Sequence, residues 1–185
     1  MPQFDPQGTF MKPYTPVDTG LLLQAQLPES DALSVSLALT SDEPFLNERG
    51  SYLYSESLDG AGVIFALGKK RDLRAFRFLG GDVIRRLQKT ETPAAAIDFP
   101  ADMGRDEIGA FLEGLLLGAF SFDRYKAEKA AKPCRVSVDP QFADLVAEKN
   151  VLCAAVNQSR DWAHEPASVI NPVTLAERAV ALAKD

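Results

Sequence analysis

VIFALGKKRDLRAFRFLGGDVIRRLQK, residues Val63 to Lys89, sets two periods side by side. Val63–Leu67 is an unbroken apolar run bounded by glycines, as expected of a central strand buried on both faces. From Leu73 the period changes. Leu73, Phe76, Gly80, Val83 and Leu87 fall on one helical stripe, with Arg74, Arg77, Arg85 and Arg86 largely elsewhere. Gly80-Gly81 weakens such a helix by up to about 1 kcal/mol per glycine, so a close packing contact is expected there.

Upstream, Leu33–Leu39 alternates apolar with small or polar residues, the pattern of a half-buried strand. Leu21–Leu27 and Ser51–Ser57 are further strand candidates. Ser41–Arg49 with Pro44 reads as a loop, and Asp59-Gly60-Ala61-Gly62 as a turn. Downstream, Ala94–Phe99 and Cys134–Val138 read as strands. Asp106–Tyr125 reads as a helix with Ile108, Phe111, Leu112, Leu115, Ala119 and Phe122 inward. Asp139-Pro140 supplies an N-cap and a proline at the first helical position. The helix that follows runs to about His164, with Phe142, Leu145, Val146, Leu152, Val156 and Trp162 as its apolar side. Glu165-Pro166 ends it, and Asn171-Pro172 starts a last helix that still runs at Asp185. That ending leads us to expect a larger parent protein. The order of elements implies an α/β fold, a mixed β-sheet flanked by helices. Pro2, Pro6, Pro13 and Pro16 make residues 1–19 an extended arm. An α/β domain is expected over 20–139 and linker helices over 140–185.

With 46% hydrophobic and 25% charged residues the composition is that of a soluble globular chain. A net charge of −6 argues against bulk nucleic-acid binding. No basic segment followed by an apolar run opens the sequence, and the longest apolar stretch, near Leu115–Ala119, is far below the roughly 20 residues of a membrane span. Cys134 and Cys153 read as reduced, buried packing residues. Together these features indicate a cytoplasmic protein.

Few residues suggest chemistry. His164 is the single histidine. With Asp161 and Glu165 it makes an incomplete metal set, because metal sites draw three or four ligands from converging elements; capping or an interface is the better use. Asp59–Gly62 resembles a phosphate loop but precedes a strand instead of opening a helix. Gly68-Lys69-Lys70-Arg71 is the better anion candidate, since it leads into a helix N-terminus; a solvated turn is the simpler reading. Lys69, Lys70, Arg71, Arg74, Arg77, Arg85, Arg86 and Lys89 face only Asp72 and Asp82 in their stretch, a local charge of +6. Such a patch suits nucleic acid or an acidic partner. No aromatic stacking platform accompanies it, and a solvated helix face with salt bridges accounts for it.

Three segments resemble the N-terminal domain and interdomain linker of the leucyl (cytosol) aminopeptidases. They are Val63-Ile64-Phe65-Ala66-Leu67-Gly68-Lys69-Lys70-Arg71-Asp72 with its helix, Glu113-Gly114 through Tyr125-Lys126, and a C-terminal group. That group comprises Ala154-Ala155-Val156, Arg160-Asp161-Trp162, Glu165-Pro166 and Asn171-Pro172 through Ala179. The likeness covers roughly residues 50–185. It departs where His164 and Ser168 stand at common asparagine positions, and where Leu27–Ser51 is shorter than expected and lacks a helix between the early strands. The resemblance implies a macro-domain-like fold with a C-terminal linker helix pair. In the family, peptide hydrolysis uses two divalent metals, zinc or manganese, held in a separate catalytic domain by a lysine and carboxylates. The family motif Asn-Thr-Asp-Ala-Glu-Gly-Arg-Leu is absent here, so no catalytic, metal or cofactor residue carries over. The implied role is hexamer assembly and shaping of active-site access, with its own catalytic domain and sister subunits as partners. Some bacterial members also contact DNA. The alternative is a stand-alone macro-like module for a nucleotide or other anion.

Overall fold

In a computed structural model, the described residues are 19, 21–28, 31–39, 51–57, 60–127 and 133–183. The chain divides into two compact units, one of Asp18–Asn157 and one that includes Gln158–Asp185. The proline-bearing arm and the Ser41–Arg49 loop lie outside the described residues.

The first unit is built on a six-stranded sheet in the order β1-β6-β5-β2-β4-β3. The strands are β1 (Leu21–Ala25), β2 (Leu33–Ala38), β3 (Tyr52–Ser57), β4 (Gly60–Ala66), β5 (Ala94–Asp98) and β6 (Cys134–Val138). All pairings are parallel except β3 with β4. The expected mixed α/β architecture is therefore present. The turn read at Asp59–Gly62 is corrected: Gly60, Ala61 and Gly62 belong to β4 and pair with Ser57, Glu56 and Ser55. Two residues, 58 and 59, separate the strands and lie outside the described residues.

Register separates the faces of the sheet. Leu23, Val35, Leu37, Val63, Phe65, Ile97, Val136 and Val138 share one face and are buried. Side chains alternate along a strand, so the neighbours of these residues fall on the other face: Leu22, Gln24, Ser34, Ser36, Ala38, Gly62, Ile64, Ala66, Ala96, Asp98, Arg135 and Ser137. A sheet covered on both faces would need apolar residues at both parities. Here β2 and β6 carry them at one parity, and β4 comes closest to both, with Ile64 half-buried on the second face. The connection from β1 to β2, residues 26–32, contains no helix among its described residues, and residues 40–50 of the Leu27–Ser51 segment lie outside them.

Helices α1 (Leu73–Lys89) and α2 (Arg105–Gly118) follow β4 and β5. Both crossovers step the same way along the sheet, and right-handed connections therefore place both helices on the same, apolar face. Phe76, Leu79, Val83, Ile84 and Leu87 of α1, and Phe111, Leu112 and Leu115 of α2, are almost fully buried. The expected contact at Gly80-Gly81 is present and closer than ordinary helix packing. A Cβ on Gly80 would stand 2.1 Å from the Phe111 carbonyl oxygen, and one on Gly114 1.9 Å from that of Arg77. One on Gly118 would meet the Gly81 Cα at 2.7 Å. No side chain fits at these points, so backbone meets backbone.

α2 ends seven residues before the expected Tyr125. Past Ala119 the chain turns, with Lys126 N–H donating to the Asp123 carbonyl at 3.0 Å and the Phe122 ring 5.9 Å from that of Tyr125. Aromatic spacing that continues the helical pattern is satisfied here by ring contact within a turn. Asp139 caps a short 3-10 turn, Pro140–Phe142, before α3 (Ala143–His164) begins.

α3 corrects the expected orientation of its apolar side. Leu145 and Val146 are buried, but Leu152 is 48% and Val156 40% exposed. Lys149, Cys153 and Asn157 face inward instead. Hydrogen bonds explain the rotation. Asn150 donates to the Leu23 carbonyl on the outer edge of β1 (3.4 Å), and Asn157 donates to the Leu116 carbonyl (3.1 Å). Leu116 lies in the last turn of α2, where carbonyls lack helical partners.

In the second unit, α4 (Pro172–Leu182) starts where Asn171-Pro172 indicated. The Asn171 side chain accepts from the N–H groups of Val173 and Thr174, and the Thr174 hydroxyl receives the Asn171 N–H. No residue of α4 is fully buried. The Arg178 guanidinium lies 5.9 Å from the Trp162 ring centroid.

Candidate functional site

In open parallel sheets, ligands gather beyond the carboxyl ends of the strands. There β4 leads through Leu67 and Gly68 (φ 85°) into Lys69-Lys70-Arg71. The positive φ is easy for glycine and strained for other residues. It lets the chain reverse into α1 immediately after the strand. β5 leads likewise through Asp102 and Gly104 into α2. The two turns meet through Arg71.

Arg71 donates from Nε and Nη2 to the two carboxylate oxygens of Glu107 (2.9 and 3.0 Å). It also donates from Nη1 to Asp102 Oδ2 (2.8 Å) and from Nη2 to the Asp102 carbonyl (2.6 Å). These bonds hold the guanidinium protonated still more firmly than usual and keep the Glu107 carboxyl below its ordinary range. Both helix N-termini are also capped from within. Asp72 Oδ1 accepts the Ala75 N–H at 2.7 Å, and Glu107 Oε2 accepts the Gly104 N–H at 2.8 Å. The anion reading of Gly68–Arg71 therefore loses its strongest cation. At each helix start, where an anion would meet free N–H groups, one N–H is already taken by the protein's own carboxylate. Lys69 and Lys70 are exposed.

The basic patch divides in the same way. Arg77 bonds Glu113 Oε2 through Nε (2.9 Å) and Nη2 (2.7 Å), and Arg85 bonds Asp82 at 2.8 Å. The guanidinium of Arg74 lies 5.3 Å from the Phe78 ring centroid and that of Arg86 4.4 Å from the Tyr52 centroid. Among the described residues, Arg71, Arg77 and Arg85 are thus seen paired with carboxylates, the first two with carboxylates of α2 or the turn before it.

A second cluster joins α1, α2 and α3. Lys149 of α3 reaches Glu113 Oε1 at 3.0 Å, opposite Arg77, and also Glu148 at 3.0 Å. Its stem passes over Gly109, where a Cβ would stand 3.2 Å from Lys149 Cε. Burial pushes the Glu113 carboxyl up, but the Lys149 and Arg77 hydrogen bonds outweigh it and hold it below the usual range. Glu113 and Glu148 in turn raise Lys149. Arg105 pairs with Asp144 and lowers it. The sequence offers faint signs of this cluster: Glu113 lies one residue before Gly114, and Lys149 sits among residues otherwise read as an apolar side.

Cys134 and Cys153 are buried and free, and burial pushes both thiols up to about 11, so they are packing residues. His164 Nδ1 lies 2.6 Å from the Arg160 carbonyl one turn earlier in α3. Among the described residues no group of three or more His, Cys, Asp or Glu side chains is arranged to hold a metal ion. No helix among them is long and apolar enough to cross a membrane.

Residues 63–129, from β4 through the turn after α2, match the model of the cytosol aminopeptidase family, N-terminal domain. The chain carries that N-terminal domain. A probable cytosol aminopeptidase of Rhizobium leguminosarum bv. trifolii is 35% identical over 135 residues, which cover 66% of this chain and 27% of the relative. One from Aquifex aeolicus is 27% identical over 154 residues, covering 77% and 31%. The chain spans between a quarter and a third of the length of these relatives. Two solved structures share the fold. The bottromycin maturation enzyme BotP superposes with a TM-score of 0.67 at 21% identity, over 83% of this chain and 37% of its own. A mutant of tomato leucine aminopeptidase gives 0.68 at 15% identity, over 89% and 42%.

Proposed function

We propose that this chain is the non-catalytic N-terminal domain of a metal-dependent aminopeptidase, acting in assembly and in shaping access to the active site. The match over residues 63–129 carries the reading. The parent removes N-terminal residues from peptides in the cytoplasm, as a hexamer using two zinc or manganese ions. In this reading such ions are not expected on Glu107, Glu113 or Asp144, each of which is held by a cation of a neighbouring turn or helix. The reading assigns the metals to the rest of the parent.

Pure chain supplied with manganese or zinc is expected to leave a leucyl chromogenic substrate intact; turnover above the buffer rate would reject the reading. A stand-alone nucleotide or anion module needs a cation and free helix N–H groups at the sheet's carboxyl edge, and there Arg71 is held by carboxylates while Asp72 and Glu107 each accept a backbone N–H. Calorimetry with ADP-ribose is expected to show no binding heat.

A further inference from the structure

The middle of α3 turns an uncharged surface outward. The ten residues from Asn150 to Ser159 include no Asp, Glu, Lys or Arg. Asn150, Cys153 and Asn157 are turned inward. This leaves Val151 75%, Leu152 48% and Val156 40% exposed, with Ala154 and Ala155 also open to solvent. A helix face in water ordinarily carries charged or polar residues, as α1 does with Arg74, Arg77 and Arg85.

Building on the parent-protein reading above, we infer that this strip is the seat of the peptidase portion of the parent. Size and length select that occupant. The strip offers on the order of a few hundred Å² of apolar surface, whereas separate chains that associate stably bury roughly 800 Å² each. A second copy would not be held by it. A portion of the same polypeptide meets the strip at an effective concentration near millimolar, and so small a contact then suffices. The matched relatives supply such a portion, because the aligned segment is only 27% of the Rhizobium leguminosarum sequence. The seat it fits is apolar and neutral, so a charge on either side stays unpaired on docking.

The test is thiol footprinting in two contexts, the 185-residue chain and a chimera in which the chain replaces the segment it matches in the Rhizobium leguminosarum relative. Val151→Cys is labelled with a maleimide and read by mass spectrometry of the α3 peptide. Cys153 is buried and contributes little background. Lys89→Cys, on the exposed end of α1, reports general accessibility. The Val151→Cys thiol is expected to label freely in the isolated chain and at least tenfold more slowly in the chimera, with Lys89→Cys equal in both. Equal labelling of Val151→Cys in an active chimera overturns the assignment while leaving the parent reading intact. Protection in the isolated chain that grows with its concentration overturns it in favour of a second copy. Lack of peptidase activity in the unsubstituted chimera removes the parent reading and this inference with it.

Discussion

Against α1, helix α2 offers Gly114 and Gly118, and Gly80 and Gly81 meet them with backbone alone. Against α3 it offers the Glu113 carboxylate and the Leu116 carbonyl, met by Lys149 and Asn157. The first contact is set by shape. It gains dispersion and burial over a large area, and nothing larger than hydrogen fits at its centre. The second is set by hydrogen bonding, in which each group is costly only if its partner is lost. The outer faces differ in the opposite sense. α1 is charged toward solvent, whereas α3, having turned Asn150 and Asn157 inward, is apolar outward from Val151 to Val156.

The sharpest way to break the contrast is Gly114→Ala. Its Cβ would fall 1.9 Å from the Arg77 carbonyl oxygen, and a backbone atom cannot swing aside. A loss of about 3 kcal/mol or more is expected in urea unfolding. Gly109→Ala, on the α3 side, meets a flexible lysine stem at 3.2 Å and is expected to cost well under half of that. Comparable losses would show that the α1 contact is not special.

Glu113→Gln attacks the polar seat. It weakens the bonds of Arg77 and Lys149 together, and a loss of about 1–3 kcal/mol is expected. The same group sets a pH dependence. Its folded pKa is depressed, so its stabilisation is complete above the ordinary glutamate value of about 4.3. That stabilisation is lost as pH falls through the lower folded value. Acid unfolding followed by circular dichroism is expected to begin below about pH 4.5 and to be less steep in Glu113→Gln; identical profiles would remove Glu113 from the cause.

Asn157→Ala leaves the Leu116 carbonyl without its donor and is expected to lower stability by about 1–2 kcal/mol, measurable by thermal melting. Arg85→Ala is the smallest change. Its carboxylate partner is three residues away on the same exposed helix face, and the expected effect is at most about 0.5 kcal/mol. If Arg85→Ala rivals Asn157→Ala, the charged outer face of α1 contributes more than its geometry indicates.

Local rules located most of the framework. α1 over Leu73–Lys89, β6 over Cys134–Val138 and the Asn171-Pro172 start of α4 follow from hydrophobic period, capping and proline placement alone. These signals act within a few residues, so a sequence carries them in full. Gly80-Gly81 even disclosed that something approaches closely, because two glycines in a helix need a compensating contact. It did not disclose what approaches. Gly114 and Gly118 become partners only when two right-handed crossovers set α2 against α1. The candidate site behaved similarly. Arg71 at a helix start reads as an anion ligand until the β5–α2 turn brings Asp102 and Glu107 to it, across 31 and 36 residues of chain. The inward face of α3 was the least legible element, since Asn150 and Asn157 are drawn in by carbonyls on β1 and α2. Short-range periodicity thus determined which residues form helices and strands. Tertiary structure alone decided which face each helix buries and which charges are spent, because those choices depend on partners distant in sequence.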